Sequence, residues 1–316
     1  MNRIKKFAGE NSAVIAFLAL FLLATIFRGS TFLSFNNIIN VLRNNSIIGI
    51  IALGMTLIII TGGIDLSVGS QLVITGIVAI AVVDRTESII LALVLSCLSG
   101  AVLGLITGLL ISKYNIPAFI VTLGTLTIYR SVSQYLLNGG GIMVSGAKMD
   151  SYIAIANTNL FGKIPLPIIY WLIIGIIIHI FITSTPTGRY IYAVGSNEKA
   201  TMLSSIDVDK VKIITYALSG LLVSIAAIIE TSRLGSVNSA SSGSSYEMDA
   251  IAAVVIGGTS MSGGRGKIIG TIMGTLTLGI INNMMNLLGV PPFLVGAVKG
   301  TIIIGAVLLQ KRLNRQ

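Results

Sequence analysis

Ten apolar stretches, at about 12–27, 46–61, 68–83, 88–111, 116–137, 166–183, 211–231, 248–257, 268–288 and 293–309, take up most of this chain. The hydrocarbon core of a bilayer is about 30 Å thick and offers no hydrogen-bonding partner, so a spanning backbone must satisfy itself as a helix or a closed barrel. Runs of this length rise about 1.5 Å per residue as helices and suit the first solution. With 54% hydrophobic and 10% charged residues and a mean hydropathy of +0.94, the 316 residues carry more apolar surface than a soluble fold covers. The expected architecture is all-α: a polytopic transmembrane helical bundle of about ten spans, one transmembrane domain over 1–316. The first stretch follows Arg3, Lys5 and Lys6, and no small-x-small cleavage pattern comes after it, so it reads as a retained anchor. Cys97, the single cysteine, lies in an apolar run and is expected to pack.

Two of the stretches end in matched glycine-rich motifs. TGGIDLSVGS at 61–70 and IGGTSMSGGRG at 256–266 align at an offset of 195, so that Gly62, Gly63, Ser67 and Gly69 meet Gly257, Gly258, Ser262 and Gly264. Gly263 doubles the last of these. The preceding stretches, 46–61 and 248–257, are too short to cross alone and are expected to be discontinuous helices. Broken helices free backbone groups that need a cavity or a buried partner, and in membrane proteins they mark transport pathways. A plain Gly-Gly turn accounts for the same residues. Asp65 is placed to cap the helix that follows, because a carboxylate suits N-terminal amides.

Positive charge sets the orientation. With the N-terminus cytoplasmic, the inner segments hold 13 of the 21 Lys and Arg and the outer segments 6, with Arg130 and Lys299 inside spans. Both termini are therefore expected in the cytoplasm. The net charge of +10 is then topology and contact with anionic lipid, and nucleic acid has no part. In this topology both glycine motifs face the cytoplasm in the same direction, which makes them equivalent hairpins and not evidence of an inverted repeat.

Small residues at every fourth position, Ser96, Gly100, Gly104, Gly108 and Ser112 in one stretch and Gly266, Gly270 and Gly274 in another, predict close helix seams. Asn282, Asn283 and Asn286, with Ser67 and Gln71 beside the first break, are polar groups that must meet protein or water. They are candidates for a translocation path, since neutral amides and hydroxyls exchange hydroxyl partners readily; interhelical hydrogen bonding satisfies them equally. Arg130, Lys299, Glu230 and Asp249 fall at matched depth near the outer ends of their spans, and at least one ion pair among them is expected.

The longest cytoplasmic loop, about 184–212, contains a short amphipathic segment. Asn197 is placed to cap it, Glu198 lies at its positive end, and Ala200, Met202, Leu203 and Ile206 form an apolar face suited to docking. Together with this loop (GRYIYAVGSNEKA, 188–200), GGIDLSVGS at 62–70, YEMDAIAAVVIGGTSMSGGRGKIIGT at 246–271 and NNMMNLLGV at 282–290 resemble the membrane permeases of ribose-type ABC importers over nearly the whole chain. That resemblance implies a homodimer, or a pair with a paralogous permease, around a central path. It also implies an extracytoplasmic sugar-binding protein and a cytoplasmic ABC ATPase. Asn197, Glu198, Lys199, Ala200, Leu203 and Ile206 would then form the ATPase-coupling helix. The chain departs from the family pattern at Lys199, where alanine is usual, and at Ser205, where glycine is usual.

Catalysis has no foothold. His179 is the only histidine, HExxH and GxSxG are absent, and no metal set is expected. A phosphate-binding loop needs glycine, four residues, glycine, lysine and a hydroxyl; Lys267 follows Gly266 but has Met261 and Ile268 at the flanking positions. No cofactor is expected in this chain, with ATP and Mg bound by the partner ATPase. The expected function is inward sugar transport, of ribose by resemblance, in a bacterial inner membrane. An ATP-independent secondary transporter or channel is the alternative.

Overall fold

A computed structural model describes residues 12–313, and the inner charges Arg3, Lys5, Lys6 and Arg315 lie outside them. Helices stand at all ten expected stretches: α1 (Ser12–Phe32), α2 (Phe35–Ile60), α3 (Val68–Thr86), α4 (Ile89–Lys113), α5 (Ala118–Leu136), α7 (Leu166–Ser184), α10 (Val208–Leu234), α11 (Tyr246–Ile256), α12 (Ile268–Leu287) and α13 (Pro292–Leu313). Among the described residues seven of them, α1 to α4, α7, α10 and α12, are long and apolar enough to cross a membrane. Three short helices are added in the connections: α6 (Met149–Asn157), α8 (Pro186–Ser196) and α9 (Glu198–Leu203).

One expected short helix is corrected. The stretch 46–61 is the second half of α2, which runs without interruption for 26 residues, about 39 Å. Asn36, Asn37, Asn40, Arg43, Asn44 and Asn45 make its first half polar, yet Asn37, Arg43, Asn44 and Asn45 find partners inside the protein. Asn45 Nδ2 donates to Val41 O at 2.6 Å, and Asn37 exchanges amide hydrogen bonds with Asn283 of α12 at 2.7 and 3.1 Å. Of the two stretches expected to be short, 248–257 alone is so, as the 11-residue α11.

The glycine stripes act as seams. Ser96, Gly100, Gly104, Gly108 and Ser112 are all buried, and α4 packs its most extensive contact against α10. A Cβ at Gly100 would strike the Gly220 carbonyl, and one at Gly104 the Tyr216 carbonyl, so the two backbones touch where lipid offers no hydrophobic drive. On α12, Gly270 and Gly274 meet Gly257 and Ala253 of α11 in the same way.

Two small sheets close the opposite end of the bundle from Lys113. Strand β1 (Gly141–Met143) pairs antiparallel with β4 (Ser236–Asn238), placing Ile142 opposite Val237. Strands β2 (Asn159–Leu160) and β3 (Ile164–Pro165) form a hairpin turned by Phe161 and Gly162, both in the left-handed region.

The expected ion pair exists between Lys299 and Asp249, Nζ to Oδ1 at 2.8 Å, and joins α13 to α11. Arg130 and Glu230 take other partners. Arg130 Nη1 donates to the carbonyls of Ser239 and Ser242, both at 2.9 Å. Glu230 lies beside the Tyr246 hydroxyl. Because Lys299 and Asp249 are both largely shielded from solvent, the variants Asp249→Asn, Lys299→Met and their combination should show a coupling of about 1–3 kcal/mol in a stability cycle. Strict additivity would mean that the pair does not form.

Candidate functional site

The first glycine motif leads into a helix whose N-terminus lies inside the bundle. Gln71, in the first turn of α3, donates from Nε2 to Gly100 O at 3.1 Å. Gly100 is about 20 Å along α4 from the Lys113 end, so α3 starts about halfway through. Segment 61–67 climbs from that end to reach it. Tyr216 Oη donates to Ile64 O at 3.1 Å on the way, and Asp65, 1% exposed, accepts from Ser67 N at 2.8 Å and Ser67 Oγ at 2.6 Å. The carboxylate expected to cap α3 instead binds Ser67, the residue before Val68, and among the described residues no side chain caps α3.

The second interruption is longer than the glycine motif suggested and lies on the other side of α11. After β4, where Val237 touches the position of Gly76, the chain runs along α3 to Gly243, whose carbonyl is against Gly69. Gly76 to Gly69 is about 10 Å of helix, so residues 236–245, strand β4 followed by turns, re-enter the bundle and α11 begins at the depth where α3 begins. The Ser, Asn and Gly content of 235–245 was the available signal. Gly69 and Gly243 permit the contact, since a Cβ on either would collide with the other's carbonyl.

At the Lys113 end the two motifs meet each other and α8. Gly264 N donates to Ile60 O at 2.9 Å, Tyr192 Oη donates to Gly266 O at 2.8 Å, and a Cβ on Gly195 would run into Ile60 O. Burial pushes the Tyr192 phenol up, which keeps it a donor. Gly62, Gly258, Gly263 and Gly264 all take positive φ and supply the tight turns; Gly63 and Gly257 turn without it. The Gly-Gly turn and the junction are therefore one feature.

Beyond Gly195 the chain forms α9. Asn197 Oδ1 accepts from Ala200 N at 3.0 Å, as expected of a cap, and Lys212 Nζ meets Glu198 Oε1 at 2.7 Å, tying α9 to α10. Lys199, Ala200, Met202 and Leu203 face outward, Leu203 at 87% exposure, while Ile206 packs on the core. The helix stops at Ser205, φ +59, and Asp207 caps α10 by accepting from Lys210 N at 2.9 Å. A left-handed residue favours glycine, so Ser205→Gly is expected to stabilise this turn by about 0.5 kcal/mol and slow amide exchange in α9; Ser205→Val should do the reverse. A cavity of about 280 Å³ lies between α9, the first break and the foot of α5, lined by Thr61, Gly63, Asn115, Glu198, Lys212 and Tyr216.

The candidate path residues are not brought together. Ser67 and Gln71 sit on the start of α3, which packs against α4, α5 and α10. Asn282, Asn283 and Asn286 lie on α12, which packs on α11, α2 and α1. Asn283 is held by Asn37, Asn286 is exposed, and the Oδ1 of Asn282 and Oε1 of Gln71 are buried without a hydrogen-bond partner.

Residues 37–307 match the family described as branched-chain amino acid transport system / permease component. The chain belongs to that permease family. The permease is 44% identical over 308 residues to the ribose import permease protein RbsC of Bacillus subtilis (strain 168), covering 97% of this chain and 95% of that one. It is 40% identical over 311 residues to its counterpart from Escherichia coli (strain K12), covering 96% and 94%. The galactose/methyl galactoside import permease protein MglC of the same strain is 34% identical, covering 95% and 94%. No solved structure matches the permease. It is a multi-pass membrane protein, and its relatives are permease components, not enzymes.

Proposed function

We propose that this chain is the membrane permease of an ATP-binding-cassette importer that moves a monosaccharide, ribose before others, into a bacterial cell through the inner membrane. The observation that carries the proposal is the near full-length similarity, at 40–44% identity, to permeases named for ribose import. In this reading ten helices cross the bilayer, both termini are cytoplasmic, and two copies, or one copy and a paralogue, enclose the path. ATP and Mg are bound by a separate ATPase, this chain carrying no cofactor, and an extracytoplasmic binding protein delivers the sugar.

The geometry supports alternating access. Docking on the exposed face of α9 moves a helix tied to α10 by Glu198–Lys212 and, through Gly195, to the ends of α2 and the 257–267 loop. The first leads into α3 and the second follows α11, two helices that start at mid-bundle, so a displacement at α9 reaches the depth where α3 and α11 begin.

The test is radiolabelled ribose uptake in cells lacking their own ribose system, with this chain, its neighbouring ATPase and binding protein, and the ATPase intact or inactivated at its active site. Uptake abolished by inactivation is expected. Uptake that survives it identifies a secondary transporter or channel; ATP-driven uptake of another sugar alone changes the substrate.

A further inference from the structure

Helix α5 has 19 residues, enough to cross a bilayer, yet it is not among the seven helices that are apolar enough. Its composition is uneven in a specific way. The outward faces of α4 and α7 are built of Leu, Ile and Val, as lipid requires: Leu98, Val102 and Leu105 on one, Leu172, Ile173 and Ile176 on the other. On α5, Thr127, Ser131 and Gln134 are exposed beside the apolar Leu123, Ile128 and Val132, and with Arg130 between them the polar residues share one face at spacings of three and four. Thr127 Oγ1 returns to Leu123 O at 3.0 Å, but the side chains of Ser131 and Gln134 make no hydrogen bond among the described residues. An uncompensated amide or hydroxyl turned to hydrocarbon is unfavourable.

An independent observation lies beside it. Arg130 reaches from this face to the carbonyls of Ser239 and Ser242 and so fixes α5 against the re-entrant segment 236–245. There Ser239 and Gly243 are buried while Ser241 and Ser244 are exposed. Irregular backbone at membrane depth is tolerated where it is buried in protein or lines water, and exposed serines choose the second. The foot of α5, Pro117 and Ala118, opens into the 280 Å³ cavity beneath the first break.

We infer that the α5 face carrying Thr127, Ser131 and Gln134, with Ser241 and Ser244 of the re-entrant segment, is the water-filled surface along which the sugar crosses. Its exposed polar groups are neutral hydroxyls and an amide, the chemistry that exchanges hydrogen bonds with a polyol, and the Arg130 cation among them is occupied by backbone carbonyls. The inference rests on the sugar-import reading but moves the path from the α12 amides to α5.

The test uses the complete transporter with Cys97→Ala and single cysteines at 127, 131, 241 or 244, compared with Ile173→Cys and Ile176→Cys on the lipid face of α7. The probe is a membrane-impermeant, positively charged methanethiosulfonate, applied to resting and vanadate-trapped complexes. Labelling at the α5 and loop positions at least tenfold faster than at 173 and 176 in one state, slowed by ribose-loaded binding protein, is the expected result. Rates no faster than the α7 controls in both states overturn the inference. As a second measurement, Ser131→Leu should cut uptake at least tenfold at an unchanged membrane level, whereas a lipid-facing position would leave it at the parent rate. ATPase inactivation is run on the Cys97→Ala parent: uptake that persists there removes the ATP-driven reading while the labelling still locates the path.

Discussion

Gly195→Ala should all but abolish transport. The added methyl would be driven into the Ile60 carbonyl and within 2.6 Å of Gly264 N, at the junction where α8, the end of α2 and the second glycine motif touch. All three partners are backbone, two of them joined by the Gly264 N to Ile60 O hydrogen bond, so no side-chain rotation relieves the overlap. Overpacking of this kind costs about 1–3 kcal/mol and more where the neighbours cannot yield, and the upper end corresponds to roughly a 100-fold loss. Uptake per inserted transporter and the melting midpoint of the purified complex measure it. Gly296→Ala, where the new methyl meets open space, is the control. Parental values for Gly195→Ala would show that the three segments do not meet.

Leu203→Asp should separate ATP hydrolysis from transport without unfolding the membrane bundle. Leu203 is 87% exposed, so within this chain the substitution removes little packing. In a docked complex the same position would be desolvated, and a carboxylate there lacks a counter-charge. Removal of a central interface anchor typically costs 2 kcal/mol or more, about a 30-fold weaker association. Co-purification of the ATPase and substrate-stimulated hydrolysis are the measurements, with the melting midpoint of the permease alone expected to hold. Glu198→Ala should act differently, releasing α9 from Lys212 and thus uncoupling without weakening the docking to the same degree. A Leu203→Asp transporter with normal uptake would remove α9 from the docking surface.

The helices were legible because the bilayer imposes length and hydropathy on every span, and their seams because small residues recur at fixed spacing. The cap at Asn197 and the outward face of α9 were legible for a similar reason, being local in sequence. What misled was polarity read without partners. The asparagines of α2 looked like a terminus, yet Asn37 is satisfied by Asn283, far away in the chain, and the helix continues. The α12 amides looked like a path for the same reason and in part are that partner. Conversely, Thr127 and Ser131 carry no signal in the sequence of α5, because each is an ordinary residue in a helix and only the exposed face they share makes them unusual.

The sequence by itself therefore determined a membrane bundle, its seams, its glycine turns and its coupling segment, since each follows from composition or from spacing along one helix. The tertiary structure alone decided that the second interruption lies at 236–245, that Gly195 joins α8 to both motifs, and which polar groups remain unpaired. Those depend on backbones meeting across the bundle, and whether a hydroxyl is satisfied or left facing a path is set by neighbours that no local spacing specifies.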